Sequence, residues 1–271
     1  MTSTSPKCTT TPLRVPQGTL ATLVVSMRAS VNLASLTIER IVGKMKAASA
    51  IPIQAPIKRI LRPFQKDGLQ WLLSLYDTPM NGILADDMGL GKTIQSIMLL
   101  KQTQATQLNP SLIVMPKTLL FNWQKELRAF APELTVCLYD GPKRKKAIET
   151  FKDHDIILCS YTSLRLDIKL LKETSFHWLI CDEAQYVKNR TTSTFKAIKK
   201  IKSSQQLLLT GTPLENSIGD LWSLMDIANP HYFGAFDPFE SFYSNPNNQQ
   251  VLKAAIAPFM LRRRKKDVVK D

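Results

Sequence analysis

Gly82-Ile83-Leu84-Ala85-Asp86-Asp87-Met88-Gly89-Leu90-Gly91-Lys92-Thr93 sits between two apolar patterns of different period. Gly82–Ala85 is a short continuous apolar run, the signature of a buried strand. After Thr93, the residues Ile94, Ile97 and Met98 recur at helical spacing. The order is therefore strand, tight loop, helix. Gly89 and Gly91 tolerate positive φ and let a backbone close around a phosphate. The helix that follows aims its unpaired N–H groups and positive dipole end at the same point. Lys92 can reach β- and γ-phosphates, and the Thr93 hydroxyl can bind Mg²⁺. Asp86 stands where the general G-x-x-x-x-G-K-[ST] loop has its first glycine, and Asp87, Met88 and Leu90 fill the remaining positions. An ordinary turn is the alternative reading of this stretch alone.

Working outward, strand-like and helix-like patterns alternate. Apolar runs at Ser111–Met115, Thr135–Tyr139, Asp155–Tyr161, Trp178–Cys181 and Gln206–Thr210 predict strands. Helical patterns lie near 118–130, 143–152, 162–172, 191–202 and 215–228. Such runs of Leu, Ile and Val fit a parallel sheet covered on both faces. The expected fold is α/β: a RecA-like, doubly wound, mostly parallel sheet with its ligand site at the carboxyl ends of the strands. Residues 237–249, with Pro238, Pro246 and an Asn/Gln cluster, read as loop. Residues 1–55 read as a leader before a domain spanning 56–271, with a short helix expected over Leu33–Met45.

Ahead of the loop, Pro63 suits a helix start. Phe64, Leu69, Trp71, Leu72 and Leu75 predict its buried face, and Gln65 falls off it. A glutamine amide matches the donor and acceptor edge of adenine, and an exposed glutamine is the plain alternative.

Four strand ends carry polar residues. Asp182-Glu183-Ala184-Gln185 follows Trp178–Cys181. Beside a phosphate loop, Asp182 can hold Mg²⁺ and Glu183 can orient and deprotonate water. A helix cap with acidic first-turn residues is the other reading. Thr210-Gly211-Thr212-Pro213 places hydroxyls where they can bond Asp182, Glu183 or Gln185. Pro116-Lys117 and Ser160-Tyr161 close two further strands with helix N-termini suited to nucleic-acid phosphates, or to simple capping.

The 271 residues carry a formal net charge of +14. Residues 1–66 hold ten Lys/Arg against one acid, Glu39, so most of the excess lies there. A basic balance suits a polyanion partner. Arg262 to Lys266 are five consecutive cations, a solvated linker or a contact to a phosphate backbone. Cys8, Cys137, Cys159 and Cys181 have no C-x-x-C spacing, so no zinc site is readable. No apolar run suits a bilayer: Leu20–Ile38 is interrupted by Ser26, Arg28 and Asn32.

Taken together, these segments resemble the SWI/SNF-type helicase-like ATPases of helicase superfamily two. Leu61–Leu72 looks like their adenine-reading motif, with Gln65 in the reading position. Asp86–Thr93 resembles motif I, in which aspartate at the first glycine position is the family's form. Leu112–Leu127, with Pro116, Lys117 and Trp123, is similar to a DNA-contacting motif, and Asp155–Arg165, with Ser160 and Tyr161, to the next. Asp182–Gln185 matches motif II, and Thr210–Asn216 matches motif III, whose Thr210, Gly211 and Thr212 with Gln185 are implied to couple the sites. The resemblance implies ATP and Mg²⁺ as cofactors, Lys92, Asp182 and Glu183 as catalytic residues, double-stranded DNA as partner, and remodelling of protein–DNA complexes. It also implies a second lobe with an arginine finger. No segment here matches that lobe, so the expectation is a separate chain or a truncation. The implied setting is intracellular: cytoplasmic in a bacterium, nuclear in a eukaryote.

Overall fold

The computed structural model describes residues 51–76, 78–104, 107–211 and 217–268. Residues 1–50, with the helix expected over Leu33–Met45, lie outside them, as does Thr212. In chain order the elements are α1 (Ala55–Ile60), α2 (Pro63–Tyr76), β1 (Gly82–Leu84), α3 (Lys92–Thr103), β2 (Ser111–Met115), α4 (Leu120–Phe130) and β3 (Val136–Tyr139). There follow β4 (Ile156–Ser160), α5 (Tyr161–Leu171), β5 (Ser175–Cys181), α6 (Ser193–Ile198), β6 (Lys202–Leu209) and α7 (Ile218–Ala228). The last elements are α8 (Phe236–Tyr243), α9 (Gln249–Ile256), β7 (Met260–Leu261) and α10 (Lys265–Val268).

The strands form one sheet in the order β3-β4-β2-β5-β6-β1-β7, and every pairing is parallel. Side chains alternate across a strand, so neighbouring residues feed opposite faces. Leu112 and Val114 join the layer that holds Tyr161, Leu164, Phe195, Leu221 and Leu224 of α5, α6 and α7. Ile113 and Met115 join the layer that holds Leu69, Leu72, Ile97, Trp123 and Leu127 of α2, α3 and α4. The doubly wound α/β architecture read from the apolar runs is the one observed.

Local chemistry sets the element boundaries. Pro63 opens α2, where its missing N–H costs nothing. Ser160, Thr192 and Ser217 accept the N–H of the third residue after them and cap α5, α6 and α7. β5 and β6 start earlier than their apolar cores suggest, at Ser175 and Lys202. The residues added to β6 are mainly polar, and backbone pairing of Ser175 with Lys202 and Phe176 with Ser203 carries them into the sheet. Packing also begins before residue 56. The Ile51 and Pro52 carbonyls accept from the Gln70 and Gln102 amides, and Ile53 is buried.

The stretch 237–249, expected as loop, is mostly helical. Pro238 falls in the first turn of α8, where an N–H has no intrahelical partner to lose. Phe239 and Tyr243, one turn apart, pack at 5.0 Å between ring centroids. Asn245 accepts from the Asn247 N–H and starts the 3₁₀ turn at Pro246.

Phe259 joins this carboxyl-terminal region to the sheet. Its ring is fully buried against Tyr232, and its carbonyl accepts the Ile83 N–H at 2.7 Å. Phe259→Ala is expected to lower the unfolding free energy by about 3–5 kcal/mol, read from the midpoint of urea denaturation. An unchanged midpoint would show that the last strand does not belong to the cooperative unit.

Candidate active site

Between β1 and α3 the chain makes the expected loop. Gly89 and Gly91 take φ of 84° and 77°, values that L side chains rarely adopt. Two side-chain amides hold the loop's rear. Gln65 donates from Nε2 to the Leu90 carbonyl at 3.2 Å and accepts the Arg62 N–H at 3.0 Å. Gln95 donates to the Gly91 carbonyl at 3.1 Å. Gln65 is thus buried, contrary to its expected place off the buried face, because the loop packs over it. One amide hydrogen and one lone pair remain for another partner. A Cβ on Gly91 would lie 2.5 Å from Gln65 Nε2, so close packing also requires glycine there.

In front of the loop lies a cavity of about 290 Å³, walled by Met88, Gly89, Gly91, Lys92, Thr93, Asp182 and Glu183. β1 and β5 deliver the two halves of this wall, with the end of β6 between them. Lys92 Nζ donates to the Asp86 carbonyl at 2.7 Å and approaches the Asp87 carbonyl at 3.4 Å. Burial lowers the Lys92 pKa, against the opposing pull of Glu183, Asp182, Asp86 and Asp87. Asp182 is the counterpart: burial raises its pKa, while hydrogen bonds from Trp123 and the Glu183 backbone oppose the rise. Glu183 occupies the left-handed region at φ 49°. Its Oε2 accepts from Gln185 Nε2 at 2.8 Å, and the Thr210 hydroxyl lies 3.5 Å from Gln185 Oε1. The structure thus brings Thr210, Gln185 and Glu183 into one chain of polar groups, with Gly211 next to Met88.

The residues expected to touch DNA divide into two sets. Pro116 and Lys117 stand accessible at the end of β2, and Lys117 Nζ pairs with Asp140 at 3.0 Å. Trp123, Ser160 and Tyr161 do not present their side chains outward. The Trp123 ring is 0% exposed, and its indole N–H donates to Asp182 Oδ2 at 2.7 Å. The Tyr161 hydroxyl donates to the Asp182 carbonyl at 2.8 Å. Ser160 caps α5 and donates to Asp140 at 3.0 Å. The reason is helical spacing: Leu120, Trp123 and Leu127 form the buried stripe of α4, a pattern legible in the sequence.

Asp86 and the basic run are placed differently from their expected roles. The Asp86 carboxylate is fully buried behind the loop, away from the cavity, in an ion pair with Arg263. Arg263 is thereby withdrawn from any polyanion. Arg264 pairs with Asp267 at 2.9 Å, and Arg262, Lys265 and Lys266 remain exposed.

Among the described residues, no cluster of three or more His, Cys, Asp or Glu could hold a metal. Asp182 and Thr93 face the cavity as hard oxygen donors, a set that fits Mg²⁺ when phosphate oxygens and water complete the shell.

The SNF2-related domain family matches residues 64–271. The chain belongs to that family. Over 218 residues this SNF2-related chain is 42% identical to an uncharacterized ATP-dependent helicase, MG018, of Mycoplasma genitalium, covering 78% of this chain and 21% of the relative. A human SWI/SNF-related matrix-associated actin-dependent regulator of chromatin, subfamily A member 1, is 37% identical over 225 residues, covering 78% and 22%. The SWI2/SNF2 ATPase core of Sulfolobus solfataricus, solved in complex with double-stranded DNA, superposes with a TM-score of 0.72 at 40% identity, covering 78% of this chain and 46% of that one. The SNF2-related chain therefore spans about a fifth of those two relatives and under half of the solved core. The matched part is the N-terminal, RecA-like lobe of the family's core. No described helix is long and apolar enough to cross a membrane.

Trp123→Phe would leave a buried carboxylate oxygen without its donor. It is expected to cost about 1–3 kcal/mol of stability, measured by denaturant unfolding. An unchanged unfolding midpoint would show that the indole bond to Asp182 is not needed to hold that carboxylate.

Proposed function

We propose that this SNF2-related lobe binds Mg-ATP in the cavity between the glycine loop and Asp182-Glu183, and hydrolyses it as part of a DNA-dependent translocase. The observation that carries this reading is the convergence of Lys92, Thr93, Asp182 and Glu183 on one cavity from strands far apart in sequence. Lys92 exchanges its loop carbonyls for β- and γ-phosphate oxygens, while the loop N–H groups bind the rest of the chain of phosphates. Mg²⁺, when bound, supplies charge neutralisation on those oxygens. Asp182 and Thr93 are the residues that would hold it. Trp123 and the Glu183 N–H fix the Asp182 carboxylate for that task. Glu183 orients the attacking water and takes its proton, with Gln185 and Thr210 aiming its carboxylate. The spare hydrogen-bonding capacity of Gln65 supports its reading an adenine edge. An arginine from a second lobe would complete the charge balance of phosphoryl transfer.

Double-stranded DNA is the proposed partner, supported by the complex in which the Sulfolobus core was solved. The accessible residues for it are Pro116, Lys117 and the exposed cations of 262–266. Trp123 and Tyr161 act from behind, on Asp182.

Lys92→Ala is expected to weaken Mg-ATP binding by about 1.5–3 kcal/mol in calorimetric titration, the worth of a charge-assisted contact. Equal affinity in both proteins would remove the cavity's assignment. Glu183→Gln is expected to keep ATP binding and abolish phosphate release in an assembly that contains a second lobe, because an amide cannot accept the proton. Retained turnover there would make Glu183 a structural residue.

Log DNA affinity is expected to fall linearly with log salt, by about 0.9 per neutralised phosphate, and Lys117→Ala should reduce that slope by about one contact. A salt-independent affinity, or strong preference for one short sequence, would contradict backbone binding.

A further inference from the structure

Arg263 is the one cation of the run 262–266 that enters the interior; its four neighbours in the run are exposed. Its guanidinium donates from Nε to Asp86 Oδ1 at 3.0 Å, from Nη2 to Asp86 Oδ2 and to Gln95 Oε1, and from Nη1 to the Phe64 carbonyl. Its own N–H donates to Asp86 Oδ1 at 3.0 Å. One side chain thus bridges α2, the phosphate loop and α3. Gly68 makes the room: a Cβ there would lie 2.7 Å from Arg263 Nη2 and 1.9 Å from Gln95 Oε1.

The backbone repeats the connection. Ile83, Ala85 and Asp87 donate in succession to the carbonyls of Phe259, Leu261 and Arg263. The β1–β7 ladder therefore continues past the end of β1 into the first residues of the loop. Asp87 Oδ2 then accepts the Lys265 N–H at 2.9 Å. Asp86 and Asp87 are also the residues whose carbonyls receive Lys92 Nζ. Any movement of residues 261–265 is thus transmitted to the carbonyls that position Lys92.

We propose that Arg263 is a positioning residue for the phosphate loop, through which the segment leaving the sheet after β7 sets the loop's shape and its grip on a nucleoside triphosphate. The inference rests on the nucleotide reading given above. A buried carboxylate requires a partner, and a planar fork that serves both of its oxygens holds orientation as well as charge. Lysine keeps the charge and loses the fork. A displaced exit segment leaves Asp86 unpaired, and the loop then loses the fixed backbone that presents its N–H groups and Lys92 to the phosphates.

The test uses the 271-residue chain and its Arg263→Lys and Asp86→Asn variants, the latter matching aspartate in shape. Hydrogen exchange is measured without nucleotide, well below the unfolding temperature, and compared between 86–91 and β2. Mg-ATP affinity is then measured by calorimetry at the same temperature. The expected result is faster exchange confined to 86–91 and an affinity loss of about ten- to a hundredfold, the worth of one charge-assisted contact. A lower unfolding temperature with unchanged loop exchange and wild-type affinity would reduce Arg263 to a structural residue and overturn the proposal. If Arg263→Lys does not fold, Asp86→Asn decides by the same two readouts. A wild-type chain that ignores Mg-ATP overturns the nucleotide reading. An unchanged loop in the exchange comparison overturns the positioning role.

Discussion

Seven strands that all run the same way carry every carboxyl end to a single edge of the sheet. Most strand interiors are apolar because helices cover both faces, so polar side chains collect where the strands stop. Asp86, Pro116, Asp140, Ser160, Asp182 and Thr210 all stand at or just beyond such ends. Chemistry at this edge follows from the direction of the chain, before any individual contact is considered.

That edge is only partly open to water, and charged groups there need partners. Asp182 has the Trp123 indole and the Glu183 N–H; Asp86 has Arg263. Trp123 and Arg263 come from distant segments, so removing either leaves a buried carboxylate short of a partner. Breaking such a pair is costly even where forming it contributes little net stability. The two carboxylates consequently tie the site to α4 on one side and to the segment after β7 on the other.

This arrangement changes the sense of two motifs. Trp123 and Tyr161 belong to segments whose resemblance implies DNA contact, yet their polar atoms bond Asp182. Lys117, six residues before Trp123, remains accessible on the same segment. The basic run divides similarly, with Arg263 turned inward and its neighbours outward.

The amino-acid sequence by itself determined the alternation of strands and helices, the glycine loop, the acidic strand end and the family resemblance. These depend on local periodicity and on spacing within a few residues, which a linear chain displays directly. It did not display the helices within 237–249, because two prolines and an Asn/Gln cluster mimic loop composition there. Nor did it display the inward turn of Gln65, Asp86, Trp123, Tyr161 and Arg263. The stripe of Leu120, Trp123 and Leu127 was a legible sign for one of them. For the others the partner lies 21 to 177 residues away, from Asp182 to Tyr161 at the near end to Arg263 and Asp86 at the far end. A polar residue's pattern is the same whether it meets water or a buried partner. Only the packing of helices on the sheet, which removes the water, decides between them.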